Sequence, residues 1–151
     1  MENKPEIQHT FLLTPGTWSV KGLYFDETEK SVTASGEIII KHEDENWVTE
    51  QTIKLTESPE PKLTNTYNIT PIKENGKVAK WKAGNELLGQ LIGSYMLQEE
   101  YIISLFETED KKYSGTEYFI YVDDERYRNR GVLFEGDKKL FSWTVELVKV
   151  N

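Results

Sequence analysis

The sequence predicts an all-β protein, a single up-and-down antiparallel barrel of about nine or ten strands. Aromatic residues make up 12% of the 151 residues, and such residues fit the pleated, half-buried surface of a sheet. Strand-like runs follow one another along the chain, separated by clusters of Gly, Pro, Asn and Asp. Because these runs are short, evenly spaced and have no convincing helix between them, they indicate strands that pair with their neighbours in sequence.

Each predicted strand is bounded by turn-forming residues. The first runs from Gly16 to Phe25, with Trp18 near its start, and the second contains the apolar run Ile38-Ile39-Ile40. Asn75-Gly76 is the strongest hairpin signal, because a type I′ turn requires positive φ at both central positions. Glu86 to Gln98 alternates only weakly, so a helix remains an alternative there. The other predicted strands are Ser31 to His42, Trp47 to Leu55, Leu63 to Ile72, Lys77 to Lys82, Glu100 to Glu107, Tyr113 to Val122, Arg126 to Glu135 and Lys138 to Val150.

Composition narrows the possible partners and compartment. The formal net charge is -8, and an acidic surface repels both nucleic acid and anionic lipid, so neither is an expected partner. The chain has no cysteine, which excludes disulfides and thiolate chemistry. The first residues lack the features of a signal peptide, and no apolar run approaches the roughly 20 residues of a membrane helix. We therefore expect a cytoplasmic protein with an N-terminal arm, residues 1–15, and one barrel domain, residues 16–151.

Gly16-Thr17-Trp18, at the head of this strand series, resembles the entrance strand of the calycins, the superfamily of lipocalins and fatty-acid-binding proteins. More narrowly, the chain resembles small bacterial lipocalin-like domains without an assigned function. The resemblance implies a barrel closed by pairing of its first and last strands, with a lumen for a small hydrophobic or amphipathic ligand. It also implies that Trp18 is a structural plug at one end, packed against a basic side chain such as Arg130 or Lys149.

The chain also departs from these relatives. We expect no helix after the last predicted strand, unlike in a typical lipocalin, and the first predicted loop is too short for the two helices of a fatty-acid-binding protein. The carboxylate-binding Arg-x-Tyr of the latter is replaced by Arg126-Tyr127-Arg128. A haem-binding barrel would need an axial histidine on an inner strand, whereas His9 lies in the arm and His42 at a strand end. We therefore expect no cofactor.

The last hairpin predicts where a ligand would bind. Glu135-Gly136-Asp137-Lys138 favours a two-residue type II′ turn, which sets Glu135 opposite Lys138. Continuing that register places the arginines of one strand on the apolar face of the other, which must face the core and consists of Phe141, Trp143, Val145 and Leu147. A two-residue turn near Asp124 brings residues of the preceding strand to this face as well. The predicted ligand-binding residues are Arg126, Arg128, Arg130, Trp143, Glu117, Phe119 and Tyr121.

Two other arrangements of these charges remain open. A three-residue turn at Gly136 would reverse the register, sending the arginines to solvent and Tyr127, Asn129 and Leu133 inward. Alternatively, the arginines could stay inside as an ion-pair network with Glu117, because an unpaired buried ion costs several kcal/mol.

The predicted function is binding of a small hydrophobic or amphipathic ligand in the lumen, and inward arginines would make that ligand anionic. The first alternative is a non-catalytic interaction or structural barrel whose own side chains fill the lumen. A lyase or isomerase that uses Glu117 and a tyrosine for proton transfer is a more distant one. The two histidines lie in no nucleophile-like or metal-ligand pattern, so neither catalytic nor metal-binding residues are predicted.

Overall fold

Ten antiparallel strands close into a barrel in the computed structural model, which describes residues 7–56, 63–72, 76–85 and 88–151. Each strand pairs with its neighbours in sequence, and the described residues contain no helix. The strands are β1 (Gly16–Phe25), β2 (Ser31–His42), β3 (Trp47–Leu55), β4 (Leu63–Ile69), β5 (Val78–Asn85), β6 (Gly89–Leu97), β7 (Tyr101–Thr108), β8 (Tyr113–Asp123), β9 (Arg126–Glu135) and β10 (Lys138–Lys149). The predicted fold class is confirmed.

Pairing of the first strand with the last closes the barrel. Trp18 of β1 is the cross-strand partner of Ile38 in β2 and of Lys149 in β10. In a closed barrel every strand has a neighbour on both sides, as each of the ten described strands does. In the part of the chain that the structure describes, no helix is long and apolar enough to cross a membrane.

Side chains alternate between the core and the outer surface along each strand. In β5, Ala79, Trp81 and Ala83 are buried while their neighbours are exposed. The same alternation in β6 buries Leu91 and Tyr95, so the helix considered for this stretch is wrong. Its weak apolar pattern arises because an inward position is occupied by glycine. The predicted Asn75-Gly76 turn involves Asn75, which lies outside the described residues.

The arginines Arg126, Arg128 and Arg130 face the outside of the barrel, so their predicted inward orientation is wrong. Glu135 pairs with Lys138 across the expected two-residue turn, in which Gly136 has a φ of 61°. The register of β9 and β10 then shifts between Lys139 and Phe141, as a β-bulge does. Because strand side chains alternate with a period of two, one extra residue reverses every orientation predicted beyond it. The arginines consequently pair with the outward Val148, Glu146 and Thr144.

Surface contacts are consistent with this outward orientation. Arg128 lies 3.6 Å from the Glu146 carboxylate, and Arg126 lies 3.8 Å from that of Asp123. Arg130 donates to the backbone oxygen of Asn129 at 3.1 Å. The inward residues of β9 include Tyr127, Asn129 and Leu133, all buried. This is the orientation that the alternative register predicted. Its cause is the bulge and not a longer turn.

Residues 7–15, the described part of the segment before β1, cover one end of the barrel with apolar and aromatic side chains. Phe11 is buried and stacks on Phe119 at 4.7 Å between ring centroids. Trp18 is fully buried and meets the rings of Phe11 and Tyr127 edge to face. Leu12 is buried with a φ of 73°, a strained conformation for a branched residue, and its backbone oxygen accepts a hydrogen bond from His42 at 2.9 Å.

Polar contacts hold the same segment in place. The Nδ1 atom of His9 lies 2.7 Å from the Tyr127 hydroxyl, and its Nε2 lies 2.9 Å from the backbone oxygen of Gln98. The backbone N–H of Thr10 also donates to the Tyr127 hydroxyl, at 3.2 Å. We call this end, formed by the segment and the side chains beneath it, the closed end.

Candidate functional site

A cavity of about 390 Å³ occupies the lumen toward the opposite end, near the β1–β2 turn and the last residue of β5. Its lining is mainly apolar and is formed by inward side chains of the strands. These side chains do not meet at the barrel axis, so a space remains there. Nineteen of the described residues form the lining. They are the aromatic Tyr24, Phe25, Tyr67, Trp81, Phe106, Phe141 and Trp143, the aliphatic Val32, Leu55, Leu88, Leu91 and Leu133, the neutral polar Gln51, Asn65, Asn85 and Ser104, and the charged Asp26, Lys30 and Glu117.

Glycines provide part of this space by letting large rings lie against the sheet. Gly131 is the cross-strand partner of Trp143, and a Cβ atom on Gly131 would come within 2.0 Å of the indole. Gly93 is likewise the cross-strand partner of Trp81, and a Cβ atom on Gly93 would come within 2.3 Å of the Trp81 indole. An aromatic ring that covers a cross-strand glycine fills the gap left by the missing side chain. The rings therefore line the lumen instead of blocking it.

Phe106 and Gly115 form a third pair of this kind. They are cross-strand partners in β7 and β8, and a Cβ atom on Gly115 would come within 2.4 Å of the phenyl ring. Three of the seven cavity aromatics thus lie over glycines. The width of the lumen depends on these glycines as much as on the rings themselves.

Glu117 is the carboxyl group placed within the lumen. Its cross-strand partners are Ser104 in β7 and Gly131 in β9, neither of which carries a charge. Burial raises the pKa of the Glu117 carboxyl to about 8, and a hydrogen bond from the Asn129 side chain offsets only part of that rise. The carboxyl is therefore mostly protonated at neutral pH.

Asn129 connects Glu117 to the indole of Trp143. The Trp143 Nε1 donates to the Asn129 Oδ1 at 2.9 Å, and the Asn129 Nδ2 donates to the backbone oxygen of Tyr118 at 3.1 Å. These two bonds determine which way the amide points. The second N–H of the Asn129 amide is left for the Glu117 carboxyl. This agrees with the hydrogen bond from Asn129 that partly lowers the pKa of Glu117.

Tyrosine hydroxyls supply further polar groups around the lumen. Burial, and secondarily the negative charge of Glu117, raises the pKa values of Tyr24 and Tyr67. Burial likewise raises the pKa of Tyr95, with smaller contributions from Tyr67 and Glu117. These hydroxyls stay neutral across the physiological range. The Tyr67 hydroxyl donates to the Gln51 side chain at 3.3 Å.

The mouth of the cavity carries the other two charged lining residues. Asp26 and Lys30 belong to the β1–β2 turn and are exposed. Asp26 accepts backbone hydrogen bonds from Thr28 at 2.8 Å and from Lys30 at 2.9 Å, which order the turn. No lysine or arginine among the described residues lines the cavity below this turn.

The predicted site residues divide among three places. Glu117 and Trp143 both line the cavity. Phe119 and Tyr121 also point inward but lie at the closed end, where Phe119 stacks on Phe11 and Tyr121 meets the His9 ring edge to face at 6.0 Å. The three arginines lie on the outer surface. Within the described residues, no group of three or more His, Asp or Glu side chains is arranged to hold a metal ion.

Sequence reasoning did not identify Asn129 or the aromatic–glycine pairs as part of the site. Asn129 appeared only as an inward residue of the alternative register. The signal for the pairs was present, because Gly93, Gly115 and Gly131 all lie in strand interiors, where glycine often marks a bulge or a close approach. Which ring covers each glycine depends on cross-strand register.

Comparisons with known proteins establish likeness of fold. No family model matches the chain, and no curated protein sequence matches it. An S-type phycobiliprotein lyase, CPES, from Guillardia theta superposes with a TM-score of 0.70 at 7% identity, covering 91% of this chain and 89% of the lyase. Rv2717c from M. tuberculosis superposes with a TM-score of 0.68 at 12% identity, covering 92% of this chain and 95% of that protein.

A third structure has a bound small molecule. EF1p2_mFAP2b bound to DFHBI superposes with a TM-score of 0.51 at 11% identity, covering 94% of this chain and 98% of that chain. All three superpose on the lipocalin-like barrel of this chain over more than nine-tenths of its length. The lipocalin-like fold expected from Gly16-Thr17-Trp18 is confirmed.

Proposed function

We propose that this protein binds a small, largely apolar ligand in the lumen of its barrel. The observation that carries the proposal is the cavity of about 390 Å³ lined by seven aromatic side chains. Ligand pockets typically have volumes of roughly 300 to 1,000 Å³ and combine apolar walls with a few polar groups. This cavity has both properties.

The arrangement of the rings favours a flat ligand. Trp81, Trp143 and Phe106 lie over glycines on adjacent strands, so each presents the lumen with a ring held against the sheet. Tyr24 stacks with Trp143 at 5.9 Å between centroids, and Tyr67 lies 4.9 Å from Trp81. A planar aromatic molecule would contact such rings over a large area.

Two of the similar structures support a small-molecule ligand without identifying it. One is described as a phycobiliprotein lyase, and the other is described as bound to DFHBI. The anionic preference inferred from the sequence is left out of the proposal, because the arginines on which it depended are on the outer surface. A barrel filled by its own side chains is disfavoured by the size of the cavity.

Titration with prodan, a neutral naphthalene dye whose emission shifts to the blue in apolar surroundings, tests the proposal. We expect saturable binding by the wild type and its loss in Ser104→Leu, because Ser104 is buried on the cavity wall and a leucine there would occupy the lumen. Ser94→Leu is the matched control, since Ser94 is paired with the exposed Leu105 on the outer face.

Circular dichroism would show that both variants keep the fold. A wild type that does not bind prodan, or a folded Ser104→Leu variant that binds as tightly as the control, would contradict lumen binding.

A further inference from the structure

We propose that the lumen selects a planar aromatic cation, of the amidinium or protonated amine class, whose charge pairs with the Glu117 carboxylate. This inference rests on the proposed function, because it concerns the ligand of the same cavity. It is the opposite charge preference to the one that the sequence predicted.

The first argument is the charge balance of the lumen. Glu117 lies between Ser104 and Gly131 on the wall, and the cavity lining below the mouth, as far as the structure describes it, contains no lysine or arginine. Lys30 is exposed at the mouth beside Asp26, so it contributes no unbalanced positive charge. A cationic ligand would supply the counter-ion that the described protein groups do not.

The second argument is that neutral polar groups already surround Glu117. The groups that face it are the tyrosines of β1, β4 and β6, the serine of β7, the asparagine of β9 and the indole of β10. They are Tyr24, Tyr67, Tyr95, Ser104, Asn129 and Trp143. Among them, the hydroxyls of Tyr24, Tyr67 and Ser104 line the cavity and can form hydrogen bonds with a neutral ligand without the carboxyl group.

The third argument is orientation. The bond that the Asn129 amide oxygen accepts from Trp143 and the bond that its N–H donates to the Tyr118 backbone orient the amide, which also forms a hydrogen bond with the Glu117 carboxyl. A carboxylate has about four lone-pair sites, so the others remain free to accept hydrogen bonds from a ligand. An amidinium has the planar, two-donor edge that meets a carboxylate in a bidentate way.

The fourth argument is the aromatic lining. A cation above the face of a tryptophan or tyrosine ring is attracted by the quadrupole of the ring, most strongly where water is excluded. Trp143 lies next to Glu117 through Asn129, and Tyr24 stacks on Trp143. The same surface therefore binds both the apolar body and the charge of such a ligand.

Pairing with a cation requires Glu117 to ionise. In the empty lumen its carboxyl holds a proton at neutral pH, since burial raises its pKa to about 8. A bound cation favours the carboxylate, so the proton leaves for solvent as the ligand enters. Cation affinity should consequently rise with pH until the carboxyl is ionised without the ligand.

Three probes of nearly equal size and shape test the charge preference: 2-naphthamidine, which is cationic, 2-naphthamide, which is neutral, and 2-naphthoate, which is anionic. At pH 8 we expect naphthamidine to bind at least about tenfold more tightly than naphthamide, and naphthoate to bind most weakly. Glu117→Gln should abolish the preference for naphthamidine and leave naphthamide affinity within about threefold, which also shows that the variant is folded.

Glu146→Gln is the matched control. It removes one carboxylate from the outer surface, where Glu146 pairs with Arg128, and should leave the preference unchanged. Calorimetry in buffers of different ionisation enthalpy should detect release of about one proton per naphthamidine at pH 7, and almost none at pH 10. The naphthamidine Kd should fall by about tenfold per pH unit between pH 6 and pH 7 and level off above pH 8.

The outcomes separate the two proposals. Naphthamide or naphthoate binding as tightly as naphthamidine, or a preference that persists in Glu117→Gln, would overturn the cation inference while leaving lumen binding intact. Prodan binding without binding of any of the three probes would do the same. Failure of prodan and of all three probes would overturn both.

Discussion

Glu117 illustrates how a side chain can have surroundings different from those that its neighbours in sequence imply. It lies on the strand before the arginines, and a partner for them was its expected role. In the barrel it faces the lumen, while the arginines face solvent. Its carboxyl therefore meets an amide, and burial raises its pKa to about 8.

That elevated pKa makes a prediction about stability. The Glu117 carboxyl keeps its proton in the folded protein up to about pH 8, whereas in the unfolded chain its pKa returns to the ordinary 4.5 of a glutamate. Its contribution is most favourable below pH 4.5 and is lost progressively as the pH rises toward 8. The Gln side chain of Glu117→Gln cannot ionise. The unfolding free energy of this variant minus that of the wild type should therefore increase by about 2 to 4 kcal/mol as the pH rises from 5 to 8.

Urea unfolding of both proteins at several pH values measures this difference. Because all other titrating groups are shared, the difference isolates Glu117. A difference independent of pH would show that the carboxyl is not shifted upward in the folded protein.

Tyr127 is a second residue for which we predict an effect on stability, through its hydroxyl group. Its hydroxyl lies 2.7 Å from His9 Nδ1 and accepts a hydrogen bond from the Thr10 N–H at 3.2 Å. Tyr127→Phe should reduce the unfolding free energy by about 1 to 3 kcal/mol, because both partners are left without this bond in a partly buried site.

Chemical unfolding measures the loss, and Tyr118→Phe on the exposed outer face is the control with an expected change near zero. Prodan affinity should be unchanged, since Tyr127 is at the closed end. Equal stability of the two variants would contradict a structural role for the Tyr127 hydroxyl.

At the scale of strands, cross-strand register decides both the charge and the shape of the lumen. The irregularity between Lys139 and Phe141 turns the arginines outward while β10 keeps Phe141 and Trp143 on the cavity wall. The same register brings Gly131 beneath Trp143. One irregularity in a hairpin thus determines which residues of β9 face the lumen.

Gly131→Ala should narrow the lumen without changing the fold. The added Cβ would lie 2.0 Å from the Trp143 ring, so the ring must move toward the cavity. We expect a loss of about 1 to 3 kcal/mol of stability from this overpacking, and a prodan Kd raised about tenfold or more.

Gly84→Ala is the matched control, because its Cβ would meet no atom within 4 Å. Its prodan affinity should equal that of the wild type. If Gly131→Ala also binds as tightly as the wild type, the paired glycine does not set the width of the lumen.

At the scale of the molecule, the closed end joins the segment before β1 to the barrel core. Phe11 contacts Phe119, Trp18 and Tyr127, which belong to three different strands. The buried side chains of this segment and of the strands form one continuous cluster. We therefore expect them to unfold together.

Phe11→Ala tests this cooperativity. It should lower the unfolding free energy by about 3 to 5 kcal/mol, the usual cost of removing a buried phenyl ring. Tryptophan fluorescence and far-ultraviolet circular dichroism should report the same single transition in the variant. A wild-type midpoint, or two separate transitions, would show that the segment is not part of the core.

The local sequence was sufficient to predict the strands, their order and the barrel, because alternation, turn residues and short spacing are properties of neighbouring residues. It also predicted the inward face of β10, since an apolar face has to be buried. The shape and charge of the lumen could be determined only from the tertiary structure. The Lys139–Phe141 irregularity, the seating of Trp143 on Gly131 and the isolation of Glu117 from positive charge all depend on register between strands. A register shift of one residue leaves the local sequence pattern unchanged, yet it reverses the orientation of every side chain beyond it.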